Sequence, residues 1–89
     1  SEATPQVASP VVGQISDLLR RGEAEQSVRP GLDPLHVYVM MVALSYFHLS
    51  NAPTLSAIWN RDLTDSAWRA EHRRLSREML RTFLRPEAD

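Results

Sequence analysis

The sequence predicts an all-α fold, an antiparallel helical bundle of three main helices and one short helix. Apolar residues recur at intervals of three and four along most of the chain, which is the period of a helix buried on one face. No stretch alternates apolar and polar residues as a strand does. Proline, glycine and capping residues divide the apolar segments into helix-length pieces with tight joins, and tight joins favour antiparallel neighbours.

The first helix is expected to begin with Ser9 as its N-cap and Pro10 at its first helical position. Its apolar residues form one stripe and predict a surface helix with one buried face. The stripe consists of Val11, Val12, Ile15, Leu18 and Leu19.

This helix has two possible C-terminal ends. Gly22 is one candidate, as a left-handed C-terminal cap. The alternative, which we prefer, is a helix that continues to Glu25 and is closed by Gln26 or Ser27. The Pro-Gly pair at residues 30 and 31 then predicts a turn.

The central helix is expected to begin with Asp33 as its cap and Pro34 at the first position, where no N–H is needed. At 100° per residue, one side carries Leu35, Val39, Val42 and Tyr46, and the opposite side carries Val37, Met41 and Leu44. A helix that is apolar all round has to be covered all round. A chain of 89 residues covers only part of it, so the rest requires a partner chain or another part of the same protein.

A short helix is expected over residues 54–60, with Thr54 as its cap and Leu55, Ile58 and Trp59 on its buried face. The last helix is expected to begin at Thr64 or Asp65 and to end near residue 84. Its apolar residues form a heptad-like seam, typical of a bundle interface, at Trp68, His72, Leu75, Met79 and Thr82 or Phe83. The opposite face carries Arg69, Arg73, Arg77 and Arg81, and a solvated face explains it better than a phosphate site.

The composition excludes several function classes. The formal net charge is −1, which argues against a free-standing nucleic-acid binder, and there is no cysteine for a disulfide or a thiolate. The polar N-terminus is unlike a secretory signal, and the apolar run over residues 37–47 is shorter than the ~20 residues that span a bilayer. We therefore expect a soluble cytoplasmic protein with no membrane partner.

No motif indicates catalysis or a bound metal. The three histidines lack the spacing of a metal site, and there is no Gly-x-Ser-x-Gly elbow or phosphate-binding loop. We expect no enzyme activity, no cofactor and no metal. Polarity near the end of the central helix makes Tyr46, His48 and Asn51 candidate residues of a cavity.

Three segments resemble the C-terminal half of tetracycline-repressor (TetR) family transcriptional regulators. They are ISDLLRRGEAE followed by VRPGLDP, the DPLH-initiated apolar helix that ends in SYFHLSN, and APTLSAIWNRDLTD before the last helix. The resemblance covers residues 11–86. Relatives commonly have glycine where this chain has Gln26. The helix-turn-helix of the family is not in this sequence, so the chain looks like a fragment of a longer regulator.

The resemblance implies an effector-binding and dimerisation domain over residues 9–86, with residues 1–8 as a loose tail or the cut edge of a larger protein and residues 87–89 as a tail. It implies a homodimer whose last two long helices pair in a four-helix bundle, an unknown small-molecule effector, and DNA contact only through the missing N-terminal domain. The role implied is that of a repressor. The expected interface residues are Leu44, Phe47, Trp68, His72, Leu75, Met79 and Phe83. The alternative is a self-contained helical interaction module with a different partner.

Overall fold

The computed structural model describes residues 9–87 and contains four α-helices with no strand in that range. They are α1 (Ser9–Ala24), α2 (Pro34–Ser50), α3 (Ala52–Trp59) and α4 (Ser66–Leu84). The all-α prediction of three main helices and one short helix is confirmed. The tails expected at residues 1–8 and 87–89 lie outside the described residues, except for residue 87. No helix in the described range is long and apolar enough to cross a membrane.

Aspartate side chains cap the two long helices that follow turns. Asp33 Oδ1 accepts the Leu35 N–H at 2.8 Å at the start of α2, as the sequence predicts. Asp65 Oδ2 accepts the Trp68 N–H at 2.9 Å, so Asp65 rather than Thr64 is the cap of α4. Each bond satisfies one of the amide groups that the first turn of a helix leaves without a partner.

Helix α1 passes Gly22 and ends at Ala24, close to the longer of the two predicted ends. Gln26 follows with φ of 63°, in the left-handed region, and the Ser27 N–H donates to the Gly22 carbonyl at 2.8 Å. This is the pattern of a C-terminal cap whose left-handed residue is usually glycine. The chain thus places a glutamine where the backbone favours glycine.

Helix α3 begins at Ala52, so the prediction of a helix over residues 54–60 with Thr54 as its cap is wrong. The Asn51 carbonyl accepts the Leu55 N–H at 2.9 Å and starts the helix two residues earlier. Pro53 fits within the first turn because the N–H that it lacks would have no partner there. Asn60, with φ of 54°, ends the helix in the left-handed region.

The described residues form two compact units, the first from residues 9–39 and 84–87 and the second from residues 40–83. In the described part of the first unit, Leu19 and Val37 are buried, and the Arg29 N–H donates to the Leu84 carbonyl at 2.8 Å. In the second unit, the buried side chains are Ala52, Leu63 and His48. Every predicted site residue belongs to the second unit.

Within the second unit, residues 40–50 of α2 lie antiparallel to α4. His48 contacts His72 near the beginning of α4, whereas Met40 shares a groove with Phe83 near its end. This contact between α2 and α4 positions all of the candidate functional side chains.

Candidate functional site

His48 lies at the centre of the contact between α2 and α4, with only 7% of its surface exposed. Its ring centroid is 4.7 Å from that of His72 and 5.8 Å from that of Trp68. Trp68 and His72 are one helical turn apart and stack on each other at 4.9 Å with an interplanar angle of 9°. The three rings form a cluster that joins the end of α2 to the start of α4.

The environment of His48 favours the neutral imidazole. Burial lowers the pKa of His48, and the positive charges of His72, Arg69 and Arg73 lower it further. Its Nδ1 is buried and has no hydrogen-bond partner within residues 9–87. A buried polar atom without a partner costs free energy, so this nitrogen requires an explanation.

An aromatic cleft of about 330 Å³ opens on one side of His48. It is lined by side chains of α2, α3 and α4, which include Phe47, His48, Leu55, Trp59, Trp68 and His72. Arg61, in the connection between α3 and α4, also lines it.

An arginine cleft of about 360 Å³ opens on the other side of His48. Helix α2 contributes Leu44, Ser45, His48 and Leu49, and α4 contributes Arg69, Arg73, Ser76 and Arg77. On α2, Ser45 lies about 160° around the axis from Phe47, so the two clefts flank the helix contact. No carboxylate lines the described arginine cleft.

The arginine row was expected on a solvated face, and Arg73, Arg77 and Arg81 are exposed. Arg69, Arg73 and Arg77 also line a cleft against α2. Arg69 is half-buried, and its Nε–H donates to the Leu63 carbonyl at 3.1 Å. The four-residue spacing was visible in the sequence, but it does not say which helix the row faces.

The predicted interface residues lie in different environments. Trp68 and His72 are half-buried against His48 within the chain. Leu44 and Phe83 line an apolar groove between α2 and α4, together with Met40, Ala43, Met79 and Leu80. The exposed fractions of Phe47, Leu75 and Met79 are 59%, 47% and 64%. The assignment of these residues to a dimer interface stays a prediction.

The three candidate pocket residues do not share a cleft. Tyr46 is 60% exposed and lies about 200° from His48 around α2. The Asn51 side-chain amide donates to the Phe47 carbonyl at 3.0 Å, which helps to end α2. Neither Tyr46 nor Asn51 lines the aromatic or the arginine cleft, whereas His48 lines both.

Sequence reasoning missed Trp59 and the arginines as cleft residues. Trp59 was expected on the buried face of the short helix, and it is exposed at the edge of the aromatic cleft. No group of three or more histidine or acidic side chains within residues 9–87 is placed to hold a metal ion.

Comparison with known proteins agrees with this architecture. The family described as "Tetracyclin repressor-like, C-terminal domain" matches residues 1–80, which is most of the chain. Searches of curated proteins and of solved structures each returned no match. The family match covers α1, α2, α3 and most of α4, the same segments in which the sequence resembles TetR regulators. The chain therefore belongs to the tetracycline repressor-like C-terminal domain family.

Proposed function

We propose that the chain is the C-terminal regulatory domain of a transcriptional repressor, which dimerises through α2 and α4 and responds to a small-molecule effector. Domains of this family generally dimerise and bind small-molecule effectors, and they are typically not enzymes. In this proposal, a separate N-terminal helix-turn-helix contacts DNA. The chain itself has a net charge of −1 and supplies no basic recognition helix of its own.

The observation that carries the dimer proposal is the apolar side of the contact between α2 and α4. Met79 lines the apolar groove and is exposed. Phe47 on α2 and Leu75 on α4 are also exposed, and each lies one helical turn from a groove residue. A monomer's largest exposed apolar patch is typically about 300–600 Å². Two copies related by a two-fold axis cover such a surface with itself, and two helix pairs then make a four-helix bundle.

Helix α2 also exposes the side that faces away from α4. In the second unit this side carries Val42 and Tyr46, which are both exposed. Each lies about 160° around the axis from Leu44, so the same dimer contact does not cover them. We propose that another part of the same regulator covers this stripe.

Sedimentation at micromolar concentration tests the dimer. The unmodified chain is expected to sediment as a dimer, and Leu75→Arg and Met79→Arg are expected to shift it to the monomer because each places an unpaired charge in the bundle. Arg73→Glu is the matched control, since Arg73 lines the arginine cleft on the other side of the helix contact.

A well-folded monomer for the unmodified chain would contradict the proposal and favour the interaction module with a different partner. Equal effects of Leu75→Arg and Arg73→Glu would contradict the assignment of the apolar side to the interface. Far-ultraviolet circular dichroism of each variant separates loss of the dimer from loss of the fold.

A further inference from the structure

The arginine cleft holds cations that the fold leaves without counterions. No salt bridge within residues 9–87 involves Arg73 or Arg77. Arg74, by contrast, pairs with Glu71 at 2.7 Å and with Glu78 at 3.5 Å. The acidic side chains of α4 are thus engaged with Arg74, and the cleft keeps a local positive charge that the chain's net charge does not reveal.

The other side chains of the cleft complete a site for an amphipathic anion. Ser45 on α2 and Ser76 on α4 add hydroxyl donors, and Leu44 and Leu49 add an apolar wall. Guanidinium groups donate paired hydrogen bonds to carboxylate oxygens, and such charge-assisted bonds are stronger than neutral ones. A volume of about 360 Å³ is within the range of small-molecule sites.

Buried His48 gives an independent indication that the cleft binds a polar ligand. Its side chain lines the cleft, is more than nine-tenths buried, and has an Nδ1 without a partner in the described residues. The groups that act electrostatically on it are His72, Arg69 and Arg73, all of which are positive or able to become so. None of these groups is a carboxylate. The negative charge that would balance them therefore has to come from an anion outside the described chain.

We infer that the arginine cleft binds a small organic carboxylate, whose carboxylate lies between Arg73 and Arg77 and whose apolar chain lies on Leu44 and Leu49. The assignment of this ligand class as the effector of the regulator rests on the proposed function. Binding of the ligand in the cleft does not require the dimer. An anion beside Arg73 offsets the positive potential at His48, so binding raises the pKa of His48 from its lowered value.

Hexanoate is the probe, titrated into the 89-residue chain with the histidine imidazoles followed by nitrogen-15 NMR at constant ionic strength. We expect saturable binding with a Kd below about 1 mM, which is a typical affinity for a small ligand in an open site. We also expect the midpoint of the His48 titration to shift upward. Hexanamide, which has the same chain without the charge, is expected not to bind. Inorganic phosphate is expected to bind at least about tenfold more weakly than hexanoate because it has no apolar chain.

The variant Arg73→Gln/Arg77→Gln is expected to lose at least about tenfold in affinity for hexanoate, since both ligating cations are gone. Arg81→Gln is the control: it removes a positive charge from the same helix outside the cleft lining. Binding of hexanamide as tight as that of hexanoate, or equal losses in the two variants, would overturn the inference. Phosphate binding as tight as that of hexanoate would overturn the role of the apolar wall.

Sedimentation of the double variant separates this inference from the proposed function. If it remains a dimer but no longer binds hexanoate, the site is supported independently of the assembly. If the unmodified chain is a dimer that does not bind hexanoate, the carboxylate site is wrong and the dimer proposal stands.

Discussion

His48 and His72 are in contact between α2 and α4, with ring centroids 4.7 Å apart and ring planes tilted by 58°. Burial and the positive groups around it lower the pKa of His48, so the folded chain favours the neutral form of this ring. We therefore expect the stability of the packing between α2 and α4 in the second unit to depend on pH.

The first prediction concerns stability against pH. The pKa of His48 is lowered in the folded chain, so the unfolded chain binds more protons just below the ordinary histidine pKa of about 6.5. The stability contributed by neutral His48 is therefore complete above that value and is lost as the pH falls toward the lowered pKa of the folded state. Urea unfolding between pH 7.5 and 5 measures this slope.

His48→Phe is expected to reduce that slope, because phenylalanine preserves an aromatic ring against Trp68 and His72 without a group that titrates. At pH 7 the variant is expected to be at least as stable, since the buried unpartnered nitrogen is removed. His36→Gln replaces an exposed histidine and serves as the control. An unchanged slope in His48→Phe would contradict the assignment of the pH dependence to His48.

The second prediction concerns the end of α1. Gln26 has φ of 63°, where a side chain costs about 1–2 kcal/mol relative to glycine. Gln26→Gly is therefore expected to raise the free energy of unfolding by about 1 kcal/mol. The same substitution at exposed Gln14, within α1, is expected to lower it by about 0.5–1 kcal/mol. Thermal or urea unfolding measures both changes. If both substitutions change the free energy of unfolding in the same direction, the role of the left-handed cap is refuted.

The third prediction concerns space at Gly22. A Cβ on this residue would lie 2.4 Å from Val28 Cγ2 and 2.8 Å from Val28 Cβ, closer than packed carbon atoms approach. Gly22→Ala is expected to destabilise the chain by about 1–3 kcal/mol, as overpacking does. Gly13→Ala is the matched control on the same helix. Its added Cβ meets nothing within 4 Å, so it is expected to stabilise α1 by about 0.5–1 kcal/mol.

The fourth prediction concerns the start of α4. Asp65 Oδ2 accepts the Trp68 N–H, so Asp65→Ala is expected to cost about 1 kcal/mol of stability. Asp65→Asn retains a capping oxygen and is expected to lose much less. Because Trp68 belongs to the ring cluster around His48, its fluorescence reports fraying at this end of α4. Indistinguishable stabilities of the two variants would show that the cap contributes little.

Much of the local structure was predictable because it depends on residues close in the sequence. Asp33 and Pro34 define the beginning of α2, and the turn at residues 30–31 separates it from α1. Which side of α2 is covered was not predictable. Leu35 and Tyr46 are exposed on one side, whereas on the other Val37 is buried and Met41 is exposed. The predicted start of α3 was wrong because Pro53 fits in the first turn of a helix, where its missing N–H has no cost.

The four helices, two of their caps and the apolar character of α2 on every side were predictable from the sequence, since capping bonds and helical periodicity are local. The packing of α4 on α2 brings the exposed Arg73 and Arg77 into one cleft with Ser45 and Leu49, which local patterns do not show. The tertiary structure also decided that His48 is buried against His72 and Trp68, while Tyr46, two residues away, is exposed. The physical reason is that the period of a helix specifies which residues share a face, whereas the rotation of α4 against α2 depends on how distant side chains pack.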